Sequence, residues 1–200
     1  VNEKKGSNVG NGVSQSFTPD GEFLDLDYEY FLCVSNRKAH KNEFGVIKSF
    51  SLANIDSRIK LVLTGRPTDE LETLINRLGI QGRIIFTGFI DANELPKLYR
   101  SAKALIFPSF YEGFGLPVIE AQASGIPVIT SNNTSLSEIS GGASILVEPT
   151  EINEIVDAIE LVCGDIEVVK QKIKLGLENA KNYSWTKTAS IVAHYIKKLL

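Results

Sequence analysis

The chain has 200 residues, 43% of them hydrophobic and 22% charged, with a formal net charge of −3. That length buries a core as one ordinary to large domain, and the charge leaves no electrostatic case for a nucleic-acid partner, which needs a basic face. No apolar run approaches the roughly 20 residues that span a bilayer.

Residues 1–29 are rich in Asn, Gly, Ser and Asp without periodicity and read as a linker or lead-in segment. The opening VNEKKGSNVG lacks Met and has no signal-peptide apolar stretch, so the chain reads as a piece of a longer protein. From Tyr30 a rhythm begins. YFLCVS is a short apolar strand, and a polar stretch NRKAHKN leads into a helix over about Glu43–Asn54. IKLVLTG is a second strand. PTDELETLINRLG then carries Leu71, Leu74, Ile75 and Leu78 on one helical face, with Thr68 as N-cap and Gly79 as stop.

RIIFTG is a third strand, and DANELPKLYRSA a helix opened by Asp91, with Glu94 at the capping-box spacing and Pro96 marking a boundary nearby. KALIFPS, IPVITS and ASILVEP complete six strands, separated by the short helix LPVIEAQASG and a helical turn at SLSEIS. EINEIVDAIELVC places Ile152, Ile155, Val156, Ile159, Val162 and Cys163 on one stripe; a further helix covers Asp165 to Lys181. Residues 183–200 form a last helix, capped by Ser184, with Trp185, Ala189, Val192, Tyr195, Ile196 and Leu199 on one face. Cys33 and Cys163, distant and in apolar surroundings, read as two buried thiols in a reducing compartment. Short apolar strands alternating with helices predict an α/β, Rossmann-like parallel sheet of about six strands with helices on both faces.

In such a sheet ligands bind beyond the carboxyl ends of the strands. There the sequence collects Ser35 to Lys41, Gly65-Arg66, Gly88-Phe89, Ser109 to Gly115 and Ser131-Asn132-Asn133. Arg37 and Lys41, the main cations of this rim, stand just before a helix N-terminus and suit a diphosphate. A solvated basic loop is the plain alternative, and His40 reads as a surface residue rather than a base. The stretch SFYEGFGLPVIEA follows the fourth strand. Proline suits a first helical turn, which puts a helix start near Leu116 or Pro117. Glu120 then lies one turn in, leaning back toward the N-terminus, while Glu112 precedes the turn and Gly113 and Gly115 let the backbone approach a ligand. Two hydrolytic carboxylates are the rival reading; a cation clamp on the same rim favours a nucleotide-linked substrate.

RKAHKN, FTGFIDANELPKLYRSAKALIFPSFYEGFGLPVIEAQASGIPVITSN and GASILVEP together resemble the C-terminal half of retaining GT-B glycosyltransferases, the family called glycosyl transferases group 1 or family 4. The resemblance runs from about Asn11 to the YSWTKTA helix. It implies a domain over residues 30–182 that binds a nucleotide-sugar donor, with GDP-mannose expected ahead of UDP- or ADP-glucose. By resemblance, Arg37 and Lys41 match the cations that hold the leaving pyrophosphate, and Glu112 matches the glutamate on the transferred hexose. Gly113, Phe114, Gly115 and Leu116 match the loop facing sugar and phosphate, Glu120 the carboxylate on the ribose, and Gly88, Phe89 and Ile90 the strand end beside the base. It also implies no metal and no cofactor, and a glycan or lipid-linked acceptor bound by an N-terminal domain that this sequence lacks. The setting it implies is cytoplasmic, with peripheral association of the full-length enzyme at the inner face of the membrane. Ser35 departs from the glycine usual at its position. A binding or scaffold module of the same fold without turnover is the alternative.

Overall fold

The computed structural model describes residues 10–199, the Leu199 side chain excepted. The expected lead-in over residues 1–9 and the chain end at residue 200 lie outside the described residues. The six strands are β1 (Tyr30–Cys33), β2 (Lys60–Leu63), β3 (Ile84–Phe86), β4 (Ala104–Phe107), β5 (Val128–Ser131) and β6 (Ile145–Val147). They form one sheet in the order β3-β2-β1-β4-β5-β6, with every pairing parallel. The helices are α1 (Glu43–Leu52), α2 (Asp69–Leu78), α3 (Leu95–Arg100), α4 (Leu116–Ala123), α5 (Thr134–Ile139), α6 (Ile152–Gly164), α7 (Ile166–Ala180) and α8 (Trp185–Leu199).

Strand periodicity divides the core in two. Phe31 and Cys33 point to the face covered by α1, α2 and α6, where they meet Val46, Phe50, Leu71 and Ile159. Tyr30 and Leu32 point to the other face and meet Tyr99, Val118, Leu136 and Ala180. All four β1 side chains are buried, as a strand covered on both faces requires. Helix ends follow local chemistry. Thr68 Oγ1 accepts a hydrogen bond from Leu71 N at 3.4 Å, and Gly79 ends α2 at φ 68°. Asp165 accepts from Glu167 N and Val168 N at the start of α7.

Two expectations are corrected. The Asp91–Glu94 capping box does not form: Asp91 Oδ1 accepts from Asn93 N at 2.9 Å in a turn, and α3 starts only at Leu95. Pro96, which has no N–H to give, fits that first turn and sets the later start. Cys163 is exposed rather than buried. It lies in the last turn of α6, past Val162, the last buried residue of the stripe.

Residues 10–29 hold no helix or strand beyond a single bridge, Val13 to Ser184. They lie against the domain because the buried Arg100 guanidinium donates to the carbonyls of Thr18 (2.7 Å), Glu22 (2.6 Å) and Ser16 (3.3 Å). The apolar face of α8 is largely exposed, with Trp185 at 53% and Ile196 at 52%. No helix among the described residues is long and apolar enough to cross a membrane.

Candidate functional site

Strand order reverses between β1 and β4, so the loops that leave these two strands lead to helices on opposite faces of the sheet. The β1–α1 loop, residues 34–42, and the β4–α4 loop, residues 108–115, are joined at this point by several contacts. Phe110 N donates to His40 O at 2.8 Å. Asn42, buried, donates from Nδ2 to Pro108 O at 3.0 Å and to Pro149 O at 2.7 Å, which ties in the chain leaving β6. Lys41 Nζ reaches Glu112 Oε1 at 2.6 Å, with side chains 13% and 12% exposed, and the ammonium lies 4.6 Å from the Phe107 ring centroid. Residues expected on the same rim from different loops, Lys41 and Glu112, thus form one ion pair.

The turn into α4 is built by glycine. Gly115 has φ 105°, and a Cβ there would lie 2.8 Å from Leu136 Cδ2, so the α5 side chain closes directly over the bare backbone. Gly113 is exposed with open space beside it. Phe114 turns inward and packs edge-on against Tyr183 at 5.9 Å. Leu116 begins the helix, and Ser135 Oγ donates to Glu112 O at 2.8 Å, fixing the loop to α5.

Glu120 lies on the second turn of α4 and holds a separate partner: Tyr99 OH donates to Glu120 Oε2 at 2.7 Å. Burial raises the Glu120 carboxyl above its ordinary pKa, and the Tyr99 hydrogen bond offsets only part of that. Tyr99, fully buried, is raised in turn by burial and by Glu120. A partly buried carboxylate held this way costs folding energy.

Gly88, Phe89 and Ile90 line a cavity of about 510 Å³ with Val34, Ser35, Thr64, Gly65, Arg66 and Leu95. It occupies the same rim, over β1, β2 and β3. Phe89 is 94% exposed at its mouth. Gly65 and Gly88 exchange reciprocal hydrogen bonds at 3.1 Å, both at positive φ, and so turn the ends of β2 and β3 outward as one wall.

Arg37, expected beside Lys41 on this rim, makes a separate set of contacts. It does not join the Lys41–Glu112 pair. Its Nη1 donates to Glu43 Oε1, its Nη2 to Thr64 O at 2.5 Å and its Nε to Arg66 O at 2.6 Å, and its guanidinium lies 5.2 Å from the Phe86 ring centroid. Tyr99, Asn42 and Thr64 are the site's contributors that sequence reasoning missed. Asn42 carried a signal, since an Asn immediately before a helix is a cap or turn residue; Tyr99 carried none, being one more large residue on an apolar helix face.

The non-glycine residues at positive φ among the described residues are Arg37 (63°), Asn42 (55°) and Thr134 (51°). Arg37 and Asn42 stand in the loop that leaves β1, and Thr134 is the first residue of α5, just past β5. Such backbone conformations cost about 1–3 kcal/mol each and gather where a fold presents a site. No group of three or more His, Cys, Asp or Glu side chains able to hold a metal ion occurs among the described residues.

In sequence and in fold this chain is similar to known glycosyltransferases. The family model described as "Glycosyl transferases group 1" matches residues 15–176. O-antigen chain mannosyltransferase B of Escherichia coli is 34% identical over 161 residues, covering 78% of this chain and 42% of that protein. The crystal structure of the C-terminal domain of a glycosyl transferase group 1 family protein from Francisella tularensis is similar with a TM-score of 0.69 and 26% identity, over 88% of this chain and 97% of that one. Sucrose-phosphate synthase from Thermosynechococcus elongatus shares the fold, with a TM-score of 0.82 at 23% identity over 96% of this chain and 52% of that one. The chain spans less than half the length of the curated relatives it matches.

Proposed function

The chain belongs to the glycosyl transferases group 1 family, and from that premise we propose that it is the sugar-donor-binding part of a retaining, metal-independent hexosyltransferase. The observation that carries this reading is the Lys41–Glu112 pair at the sheet's switch point, beside the N-terminus of α4 and on one rim with the Phe89 cavity. The cavity takes the nucleoside. The diphosphate lies toward Lys41 and the N-terminal end of α4, which together neutralise charge as the diphosphate leaves. Glu112 receives hydroxyls of the transferred hexose. Glu120 receives the ribose hydroxyls, and Tyr99 holds that carboxylate in place.

GDP-mannose is the proposed donor, in keeping with the relative named as a mannosyltransferase and with the form of the NRKAHKN segment. The acceptor, a glycan or lipid-linked sugar, is bound by chain beyond this domain, so the domain alone transfers sugar weakly or not at all. The proposed setting is cytoplasmic, at the inner face of the membrane, which suits two unpaired thiols. Calorimetric titration with GDP, UDP, ADP and GDP-mannose tests the reading. Binding of GDP ahead of the others supports it, preference for UDP or ADP redirects it to a glucose donor, and no binding of any nucleotide overturns it.

A further inference from the structure

Residues 16–24 hold no helix or strand, yet hydrogen bonds tie both ends of this stretch to α3 and the residue after it. We propose that residues 16–24 are a positioning strap for the donor site: Phe17 and the grip on Arg100 set α3, and α3 sets the Glu120 carboxylate through Tyr99. This rests on the reading of Glu120 as the ribose carboxylate.

The strap is held from several directions. Arg100 directs its whole guanidinium at main chain, with Nε on Thr18 O, Nη1 on Glu22 O and Nη2 on Ser16 O. Gly21 stands at φ 140°, and a Cβ there would lie 3.0 Å from Arg100 Cζ, so bare backbone lies against the cation. Leu24 N donates to Ser101 Oγ at 2.7 Å, and Lys97 Nζ pairs with Glu22 Oε2 at 2.7 Å. Phe17 completes the set. Its ring meets the Tyr99 ring edge-on, with centroids 5.4 Å apart and planes at 87°.

α3 has six residues, far below the roughly 12–15 at which a helix begins to hold itself in water. Its position therefore comes from what packs on it: β1, through Tyr30 OH donating to Leu98 O at 2.6 Å, and the strap. Tyr99 is fully buried next to Arg100, and its hydroxyl donates to Glu120 Oε2 at 2.7 Å. One carboxylate oxygen is fixed by that bond, and the direction of the other follows from it. A phenol is rigid beyond its first two torsions, so a ring that shifts when Phe17 is removed carries its hydroxyl, and with it Glu120, out of place. This path weakens the contact with ribose hydroxyls and spares the rest of the nucleotide, which a general loosening of the domain would not do.

The probes are GDP and UDP, each beside its 2′,3′-dideoxy form, which lacks both ribose hydroxyls. Calorimetric titration, at a temperature where melting curves show each protein folded, gives the ratio of dideoxy Kd to parent Kd. Positioning predicts that Phe17→Ala and Tyr99→Phe each lower this ratio about fivefold, the scale of one hydrogen bond, and leave the dideoxy Kd unchanged. The double variant Phe17→Ala/Tyr99→Phe loses no more than Tyr99→Phe alone, since both act on one contact. By linkage, the parent nucleotide slows amide exchange at Leu24, held by Ser101, more than its dideoxy form does. Equal rises in Kd for parent and dideoxy forms make Phe17 a packing residue and overturn the proposal. Losses that multiply in the double variant, or a Phe17→Ala that binds every probe as the wild type does, overturn it too. If Phe17→Ala does not fold, Phe17→Leu and Ser101→Ala carry the same comparison. A wild type that binds neither nucleotide, or binds parent and dideoxy forms alike, sinks the reading of the donor site and this inference with it. A wild type that favours the parent form, with a Phe17→Ala that keeps the same preference, sinks this inference alone.

Discussion

Replacing Lys41 with methionine keeps most of the side chain's length and removes its charge. Lys41 Nζ lies 2.6 Å from Glu112 Oε1, with both side chains mostly buried, and the Phe107 ring beneath the ammonium excludes water from one side. Removing one partner of a fully buried pair costs about 3–5 kcal/mol, because the other charge is left stranded. The remaining exposure here lets water reach Glu112 and lowers the expected loss to about 2–3 kcal/mol. For a chain of this size that is a fall in Tm of roughly 4–12 °C. The double variant Lys41→Met/Glu112→Gln carries no stranded charge and recovers most of that stability. Nucleotide affinity separates from stability in this cycle. Losing one charge-assisted contact to phosphate costs about 1.5–3 kcal/mol, or roughly tenfold to 150-fold in Kd, and the double variant does not regain it. Thermal melts followed by circular dichroism give the first quantity, and titration with GDP and UDP at fixed salt the second. A double variant that recovers affinity along with stability would show that Lys41 serves only to neutralise Glu112, and the phosphate assignment would fail.

Glu120→Gln keeps the shape that Tyr99 bonds to and removes the charge. Because burial raises the folded pKa of Glu120 above its ordinary value of 4.5, the folded state holds its proton to higher pH than the unfolded chain, and stability falls as pH rises from about that value through the folded pKa. The stability of Glu120→Gln relative to wild type therefore increases between pH 4 and pH 7 while nucleotide Kd worsens; parallel stability profiles would refute the buried-charge account. Gly115→Ala forces a Cβ against the buried Leu136 at a φ that only glycine adopts freely, and is expected to cost about 2 kcal/mol in chemical denaturation. An unchanged midpoint would contradict the close approach. Burial pushes the Cys33 thiol up to about 12, whereas Cys163 is exposed. A thiol-specific disulfide reagent should titrate one cysteine in the native protein and two in denaturant, with peptide mapping assigning the fast one to Cys163.

How much of this was legible follows from what periodicity encodes. Runs such as Tyr30–Cys33 are apolar at every position because both sheet faces are covered, and that signal survives without knowledge of any contact. The Leu71, Leu74 and Ile75 face, the Thr68 cap and the Gly79 stop are local in the same sense. So was the position of Lys41 and Glu112 on one rim, since a parallel sheet sends every strand's exit to the same edge. Their pairing was not local, because it depends on the strand order that sets β1 beside β4. Cys163 failed for a related reason: helical phase says which side a residue takes, and the length of the covering contact decides whether that side is covered so near the helix end.

Arg37 marks the harder limit. Residue type and position gave it a full charge on the correct edge, and both observations hold. What decides where its side chain goes is the sign of one dihedral. At negative φ the Cα–Cβ bond of an L-residue leaves the loop in one direction; at 63° it leaves in another, and here that direction ends at Thr64 O, Arg66 O and Glu43. Asn42 and Thr134 are redirected by the same kind of turn. For Asn42 the composition hinted at it, but Arg and Thr are residues for which a left-handed backbone is disfavoured. The strain persists because the neighbours over-determine it: the Ser35 hydroxyl on the Arg37 amide, and two proline carbonyls on the Asn42 amide group. Those partners come from β1, β2, β4 and β6 exits far apart in sequence. A loop whose geometry is set by four strands at once is unreadable in any one stretch, and the same contacts hold Lys41 beside Glu112.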